Sequence, residues 1–521
     1  MNLSTIDLVI FAAWILFMMV QGIWLSFKKQ ETTRDYFLAS SALPWWAVGG
    51  SLIASNISAE QFIAMSGSGY VVGMAIASYE LMAAVTLLIV GKFFLPIFLK
   101  KGIYTMPQFL EQRFDHRVRT GMAVFWVLLF VFVNITSVLY LGGLALKTIM
   151  GIPLIWGVIG LALFAATFSV GGGLKAVVWT EVVQVVILVL GGLLTTVMVL
   201  NALGGSFFGG LKMLVEQAPE KFDMILDKSN PEYINLPGIS VLIGGLWIAN
   251  IYYWGNNQYI IQRALASKSI KEAQAGTAFA AFLKLLIPLI VVIPGIVAFV
   301  LKAPIERPDE AYPWVLSNYV TVGFKGIAFA ALVAAIGSTL SSVVNSASTI
   351  FTLDIYKPFF LKNIEEETAR ERHLVRVGKI SAAVAILIGV VMAPMLGNLD
   401  QAFQYIQEYT GFISPGVVAV FLLGLFWKRT STNAALTAVI LAIPLSTAFK
   451  FLAPALPFMD RMGICFLIIA AIMVAISLWE NKQADKRAIV FEQGLFKTSP
   501  IFNIAAVVIM GLLAVIYAIF W

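Results

Sequence analysis

Two ionisable side chains stand where the surrounding sequence is apolar. Glu80 follows Ser78-Tyr79 at the start of a long hydrophobic run, and Lys284 is embedded in Ala281-Phe282-Leu283-Lys284-Leu285-Leu286-Ile287. A charge at such depth costs a few kcal/mol on membrane-insertion scales, so it faces a partner or a polar cavity. The two can pair as a structural ion bridge. Alternatively each can hydrogen-bond the hydroxyls of a solute, the carboxylate accepting and the ammonium donating; opposite charges then leave the pocket close to neutral, which favours a neutral polyol over an anion. A second kind of chemistry is written in Gly337-Ser338-Thr339-Leu340-Ser341-Ser342, four hydroxyls in one apolar stretch. Back-bonding to the helix's own carbonyls accounts for one or two of them. A run of four, joined by carbonyls freed where a neighbouring helix unwinds, offers the several hard oxygens that Na⁺ requires.

Two further stretches are polar at mid-length: Gly49-Gly50-Ser51-Leu52-Ile53-Ala54-Ser55-Asn56-Ile57-Ser58-Ala59-Glu60-Gln61, and Gly244-Gly245-Leu246-Trp247-Ile248-Ala249-Asn250-Ile251-Tyr252-Tyr253-Trp254-Gly255-Asn256-Asn257-Gln258. Backbone leaves the helix at membrane depth only where it is buried in protein or lines a wet cavity, so these spans mark a binding site. The blander alternative is that Asn and Ser merely join helices.

The elements that must hold these groups follow from composition. The chain of 521 residues is 60% hydrophobic and 12% charged, with a mean hydropathy of +0.90, which no ordinary aqueous domain shows. Unbroken runs such as Val182 to Leu200 select helices over barrel strands. The expected class is an all-α polytopic membrane protein with fourteen spans, near 6–27, 44–66, 70–98, 121–148, 152–170, 177–200, 237–261, 274–301, 323–352, 379–396, 399–427, 432–451, 459–479 and 501–520. The two polar spans are five apart, the separation that an inverted five-plus-five repeat produces. The net charge of +7 reflects Lys and Arg crowded into alternate loops (Lys28, Lys29 and Arg34; Lys100 to Arg119; Lys357 to Arg376; Lys482 to Arg487), which places the N-terminus outside and excludes a nucleic-acid partner. Met1 to Asp7 carries no Lys or Arg, so the first stretch reads as an uncleaved span. Cys465 is expected to be a packed thiol, and His116 and His373 to be solvated loop residues. Lys284 is read as the only Lys or Arg deep in a core span.

Taken in order, Asp35-Tyr36-Phe37-Leu38-Ala39, Ala54 to Gln61, Tyr104-Thr105-Met106-Pro107-Gln108-Phe109-Leu110, Gly172-Gly173-Leu174-Lys175-Ala176, Tyr252-Tyr253-Trp254-Gly255 and Gln404-Tyr405-Ile406-Gln407-Glu408-Tyr409 resemble the sodium/solute symporter family over nearly the whole chain. The resemblance implies a LeuT-like fold with inverted repeats over 44–200 and 237–427. A leading helix and loop (1–43), an extracellular loop (201–236) and three C-terminal helices (428–521) would flank them. It implies sugar contacts at Asn56, Gln61, Glu80, Asn134, Asn250, Lys284 and Gln407, gates at Met65, Tyr253 and Phe403, and sodium held by the carbonyls of Ala54, Ile57 and Ala335 and the hydroxyls of Ser338 and Thr339. Three positions depart from the galactose-transporting members: Ala83 and Thr339 replace serines, and Glu181 replaces an aspartate that attends sodium on its way to the cytoplasm. Glu181 has an alternative reading as a residue at a helix N-terminus, favoured by the dipole. The expected activity is sodium-coupled uptake of a neutral monosaccharide, galactose or glucose, across a bacterial inner membrane. Na⁺ is the coupling ion, without an organic cofactor, and a homodimer is compatible with the family. Rival readings are symport of inositol or sialic acid, a membrane-embedded enzyme, and an ion channel. The enzyme lacks a nucleophile-and-base set, and the channel lacks a selectivity loop.

Overall fold

The computed structural model describes residues 3–26, 32–38, 42–361, 366–396, 402–480 and 483–521. They form a helical bundle whose one isolated bridge joins Leu43 to Ser267. Among the described residues ten helical stretches are long and apolar enough to cross a membrane. Of the other four expected spans, those near 44–66, 237–261 and 399–427 fall on helices that are shorter or interrupted, and the one near 152–170 falls on the first part of a longer helix, Leu154–Gly204. The elements used below are α1 (Thr5–Ser26), α2 (Trp45–Asn56), α3 (Ser78–Ile89), α4 (Leu154–Gly204), α5 (Gly245–Ile251), α6 (Gln258–Leu265), α7 (Ile270–Lys284), α8 (Phe324–Ile350), α9 (Ala402–Gly411) and α10 (Ser414–Phe426).

Three features differ from expectation. Residues 152–170 and 177–200 do not form separate helices joined by a loop, because α4 is helical across Gly171 to Gly173. The segment 201–236 is not all loop: it holds helix Phe207–Gln217, capped where the Ser206 hydroxyl accepts the Gly209 N–H. His373 also departs from the solvated-loop reading, since it lies in helix Glu367–Met392 with its Nε2 2.9 Å from the Tyr356 hydroxyl. Cys465 is buried and free, as expected.

The polar interruption in the second span is a true break with a local cause. α2 stops at Ile57, which is extended (φ −76°, ψ 108°), and the chain restarts as the π-turn Glu60–Met65. Ser58 and Gln61 form a capping box across the restart: the Ser58 hydroxyl accepts the Glu60 N–H at 3.0 Å and the Gln61 side-chain oxygen accepts the Ser58 N–H at 3.0 Å. Orphan donors are thereby satisfied without water. The seventh span breaks likewise, with α5 passing into the π-turn Tyr252–Asn256, an extended Asn257 (φ −80°, ψ 122°) and then α6. The Gln258 side chain pins this break, accepting the Met106 N–H at 2.8 Å and donating to the Tyr104 carbonyl at 3.2 Å.

α8 is the buried axis, and α4 and α2 pack on it. Its Ala, Gly and Ser side chains permit the close approach that holds helices together when lipid supplies no hydrophobic drive. A methyl group on Gly337 would collide with the Phe164 ring. The bundle's outer helices, α1 and Pro500–Ile519, present mostly exposed apolar surface, as a lipid-facing rim requires.

Candidate functional site

A small cavity of about 50 Å³ lies between the two broken spans, α3, α7 and α9. Its polar floor is one connected set. The buried Lys284 ammonium, on the last residue of α7, contacts the Glu80 carboxylate of α3 and donates to Asn56 Oδ1 at the end of α2. Asn56 Nδ2 donates to the Tyr253 hydroxyl at 3.0 Å, and Tyr253 also accepts from Tyr259 OH at 2.7 Å. Trp254 covers the ammonium, 5.0 Å from its ring centroid. Glu80 and Lys284 are therefore an ion pair, and the pair lines a cavity. Gln61, Asn250 and Gln407 line the same space. The Gln61 oxygen is committed to the capping box, which leaves its amide NH₂ to face a ligand. Asn250 donates to its own helix at Leu246, 3.1 Å away.

The remaining sugar and gate residues divide. Tyr253 lines the cavity, as does Ala83, where a serine hydroxyl is missing. Asn134 is buried in the π-turn Leu129–Ile135 with its Oδ1 unpartnered, but is not part of this lining. Met65 is fully buried in the π-turn below the break and does not line the cavity either. The Phe403 side chain lies outside the described residues. Sequence reasoning passed over Tyr79, Trp254, Thr410 and Ser414, and also Glu60, which gives the lining two carboxylates to one ammonium.

On the opposite side of the α2 terminus the hydroxyl run of α8 splits by function. Ser341 and Ser342 back-bond to the Ser338 carbonyl, each at 2.8 Å. Ser338 and Thr339 instead cross to α2, donating to the Ala54 carbonyl at 3.1 Å and the Ser55 carbonyl at 2.9 Å. Those carbonyls lack helical partners because α2 ends at Asn56, within two residues of them, and nothing continues the ladder. Ala54 and Ser338 are thus brought together as expected, with Ile57 just past the break and Ala335 one turn before Thr339 on α8. A shell of neutral carbonyl and hydroxyl oxygens suits a hard monovalent cation. Among the described residues no group of three or more His, Cys, Asp or Glu side chains is placed to hold a metal.

Glu181 is not at a helix N-terminus. It lies inside α4, fully buried, and receives the hydroxyls of Ser51, Ser55 and Ser342 together with the Arg263 guanidinium at 3.0 Å. Arg263, on α6, also bonds the Ser342 hydroxyl and the Tyr259 carbonyl. This corrects the reading of Lys284 as the sole deep cation: Arg263 is equally buried. It escaped because it falls just past the hydropathic edge of the seventh span, whereas protein packing, not lipid, sets its burial. Arg263 is not part of the cavity lining.

Residues 36–442 match the profile described as "Sodium:solute symporter family". The chain is 53% identical to a sodium/glucose cotransporter of Vibrio parahaemolyticus over 100% of this chain and 99% of that one. It is 32% identical to the human sodium/myo-inositol cotransporter over 87% of this chain and 68% of that protein. Its fold is similar to that of a Na⁺-coupled sialic acid symporter solved in a substrate-bound outward-open state, with a TM-score of 0.82 at 24% identity, covering 93% of this chain and 100% of that one. It also resembles Mhp1, a nucleobase-cation-symport-1 family transporter, with a TM-score of 0.52 at 15% identity over 88% and 96% of the two chains.

Proposed function

The chain belongs to the sodium:solute symporter family, multi-pass sodium-coupled transporters rather than enzymes, and from that premise we propose that it imports a neutral monosaccharide, galactose or glucose, by alternating access. The observation that carries the sugar assignment is the Lys284–Glu80–Asn56 cluster inside the cavity. It offers donors and acceptors in alternation, and Tyr253 and Trp254 supply aromatic faces for a sugar ring. A carboxylate-bearing solute would meet Glu60 and Glu80 against a single ammonium, which disfavours a sialic acid. The identity with a sodium/glucose cotransporter supports a hexose over inositol.

The last turn of α2 joins the two solutes. Its Ala54 and Ser55 carbonyls face the α8 hydroxyls, while Asn56, the next residue, reaches Lys284. Sodium entering between Ala54, Ile57, Ala335, Ser338 and Thr339 would fix that turn, and with it the Asn56 amide that the sugar meets. Couplings of this kind are worth about 1–3 kcal/mol and are reciprocal. In the structure the cavity has room for only a few waters, whereas a hexose of about a dozen heavy atoms needs more. Binding therefore requires the cavity to widen. Loss of sodium toward the basic end would run past Glu181, with Arg263 as its competitor for the carboxylate.

The breaks at Ile57 and Asn257 support paired repeats over 44–200 and 237–427, and the Lys and Arg distribution supports an external N-terminus in a bacterial inner membrane. A panel of hexoses, inositol and sialic acid competing for sodium-dependent binding to the purified protein tests the substrate. Galactose or glucose should compete and sialic acid should not; preference for inositol or sialic acid would overturn the assignment.

A further inference from the structure

A second concave surface lies far from the sugar cavity, at the end of the bundle that gathers the basic loops. It has a volume of about 800 Å³ and is walled by the end of helix Leu95–Lys101, the α6–α7 connection and residues 494–497. Lys100, Lys268, Lys271 and Lys497 line it, and no carboxylate does. Among the described residues Lys268, Lys271 and Lys497 form no ion pair, while Lys100 meets Glu492 at the rim. Three unpaired ammonium groups around one cleft repel one another, an arrangement that a bound anion relieves.

Two independent features point to the anion's type. The first turn of α7 opens into the cleft, with Ser269 capping the Glu272 N–H. Other first-turn N–H groups are left without helical partners, and the positive end of the dipole adds to the lysines. Leu99, Ile103, Leu265, Ile270 and Leu495 add apolar surface to the same cleft. We propose that this cleft binds a phosphate-bearing anion, either a phospholipid headgroup with its glycerol and upper acyl carbons on the apolar surface or a soluble phosphate compound. The α6–α7 hairpin carries Arg263 at one end and Lys284 at the other, so the occupant sits on the element that links the buried Glu181 network to the cavity. The inference does not depend on the transported solute.

The test measures binding to the full-length protein in detergent. Native mass spectrometry follows phosphatidylglycerol against phosphatidylcholine, and calorimetry follows inorganic phosphate and glycerol phosphate. The cleft variant K268Q/K271Q/K497Q is compared with the charge-matched control K212Q/K228Q/K302Q and with K268R/K271R/K497R. Each lysine near such a phosphate contributes about fivefold to affinity, so the cleft variant should bind on the order of a hundredfold more weakly. The control and the arginine variant should bind as the parent does. Lysine-dependent retention of phosphatidylglycerol alone assigns a headgroup, and lysine-dependent binding of the soluble phosphates assigns a free compound. Equal binding by the cleft variant and the control in both arms, or no binding by the parent in either, overturns the proposal.

Discussion

Glu80 and Lys284 provide the sharpest test of how the cavity is built. Their side chains are 4% and 1% exposed and in direct contact, so Glu80→Ala strands a buried ammonium. Breaking such a pair costs about 3–5 kcal/mol. Lys284 keeps Asn56 Oδ1 and the Trp254 face, which places the expected loss near the lower end, about 3 kcal/mol. The double substitution Glu80→Leu with Lys284→Met removes both charges, keeps the volume and leaves only Asn56 to find a new partner; replacing a buried pair by apolar groups is often neutral or better. Stability, read by denaturant unfolding in mixed micelles, should therefore fall in Glu80→Leu alone and in Lys284→Met alone and recover in the double. Sugar binding, read by displacement of a labelled hexose, should be lost in all three. Additive losses of stability within about 0.5 kcal/mol would show the pair to be uncoupled, and parental sugar affinity in the double variant would show it to be structural only.

The remaining expectations concern separate parts of the account. Ser338→Ala removes the hydroxyl that meets the Ala54 carbonyl; sugar binding titrated against Na⁺ should shift to much higher sodium, and superimposable curves for variant and parent would remove Ser338 from the ion site. Arg263→Gln leaves the Glu181 carboxylate buried with only hydroxyl partners, so it should unfold about 3 kcal/mol more readily, whereas an unchanged melting profile would mean the pair is not closed in solution. Ser58→Ala deletes a cap at the α2 break and should cost about 1 kcal/mol in stability, checked by the same unfolding assay. Ala83→Ser adds a hydroxyl to the cavity wall and should tighten hexose binding by up to about tenfold; weaker binding would show that the wall is already fully packed.

Much of this site was legible because the background is so apolar. Glu80, Lys284 and the Ser338-Thr339 pair stand out against leucine and valine, and the breaks at Ile57 and Asn257 are announced by Asn, Ser and Gln at mid-span. The capping box was also written in Ser58-Ala59-Glu60-Gln61, but it became meaningful only once the helix was seen to stop there. Tyr79 and Trp254 gave no contrast, since an aromatic residue in an apolar span reads equally as core. Arg263 was hidden by its place at a hydropathic boundary, where sequence cannot tell a solvated loop from a packed interior. Asn134, assigned by motif alone, is buried but is not part of the cavity lining.

Sodium coupling is the claim on which the rest depends, and it is tested most directly in proteoliposomes with imposed gradients. An inward Na⁺ gradient should drive transient accumulation of labelled galactose or glucose above its outside concentration, and collapse of that gradient should release it. The same accumulation in sodium-free buffer under a proton gradient alone would contradict the account.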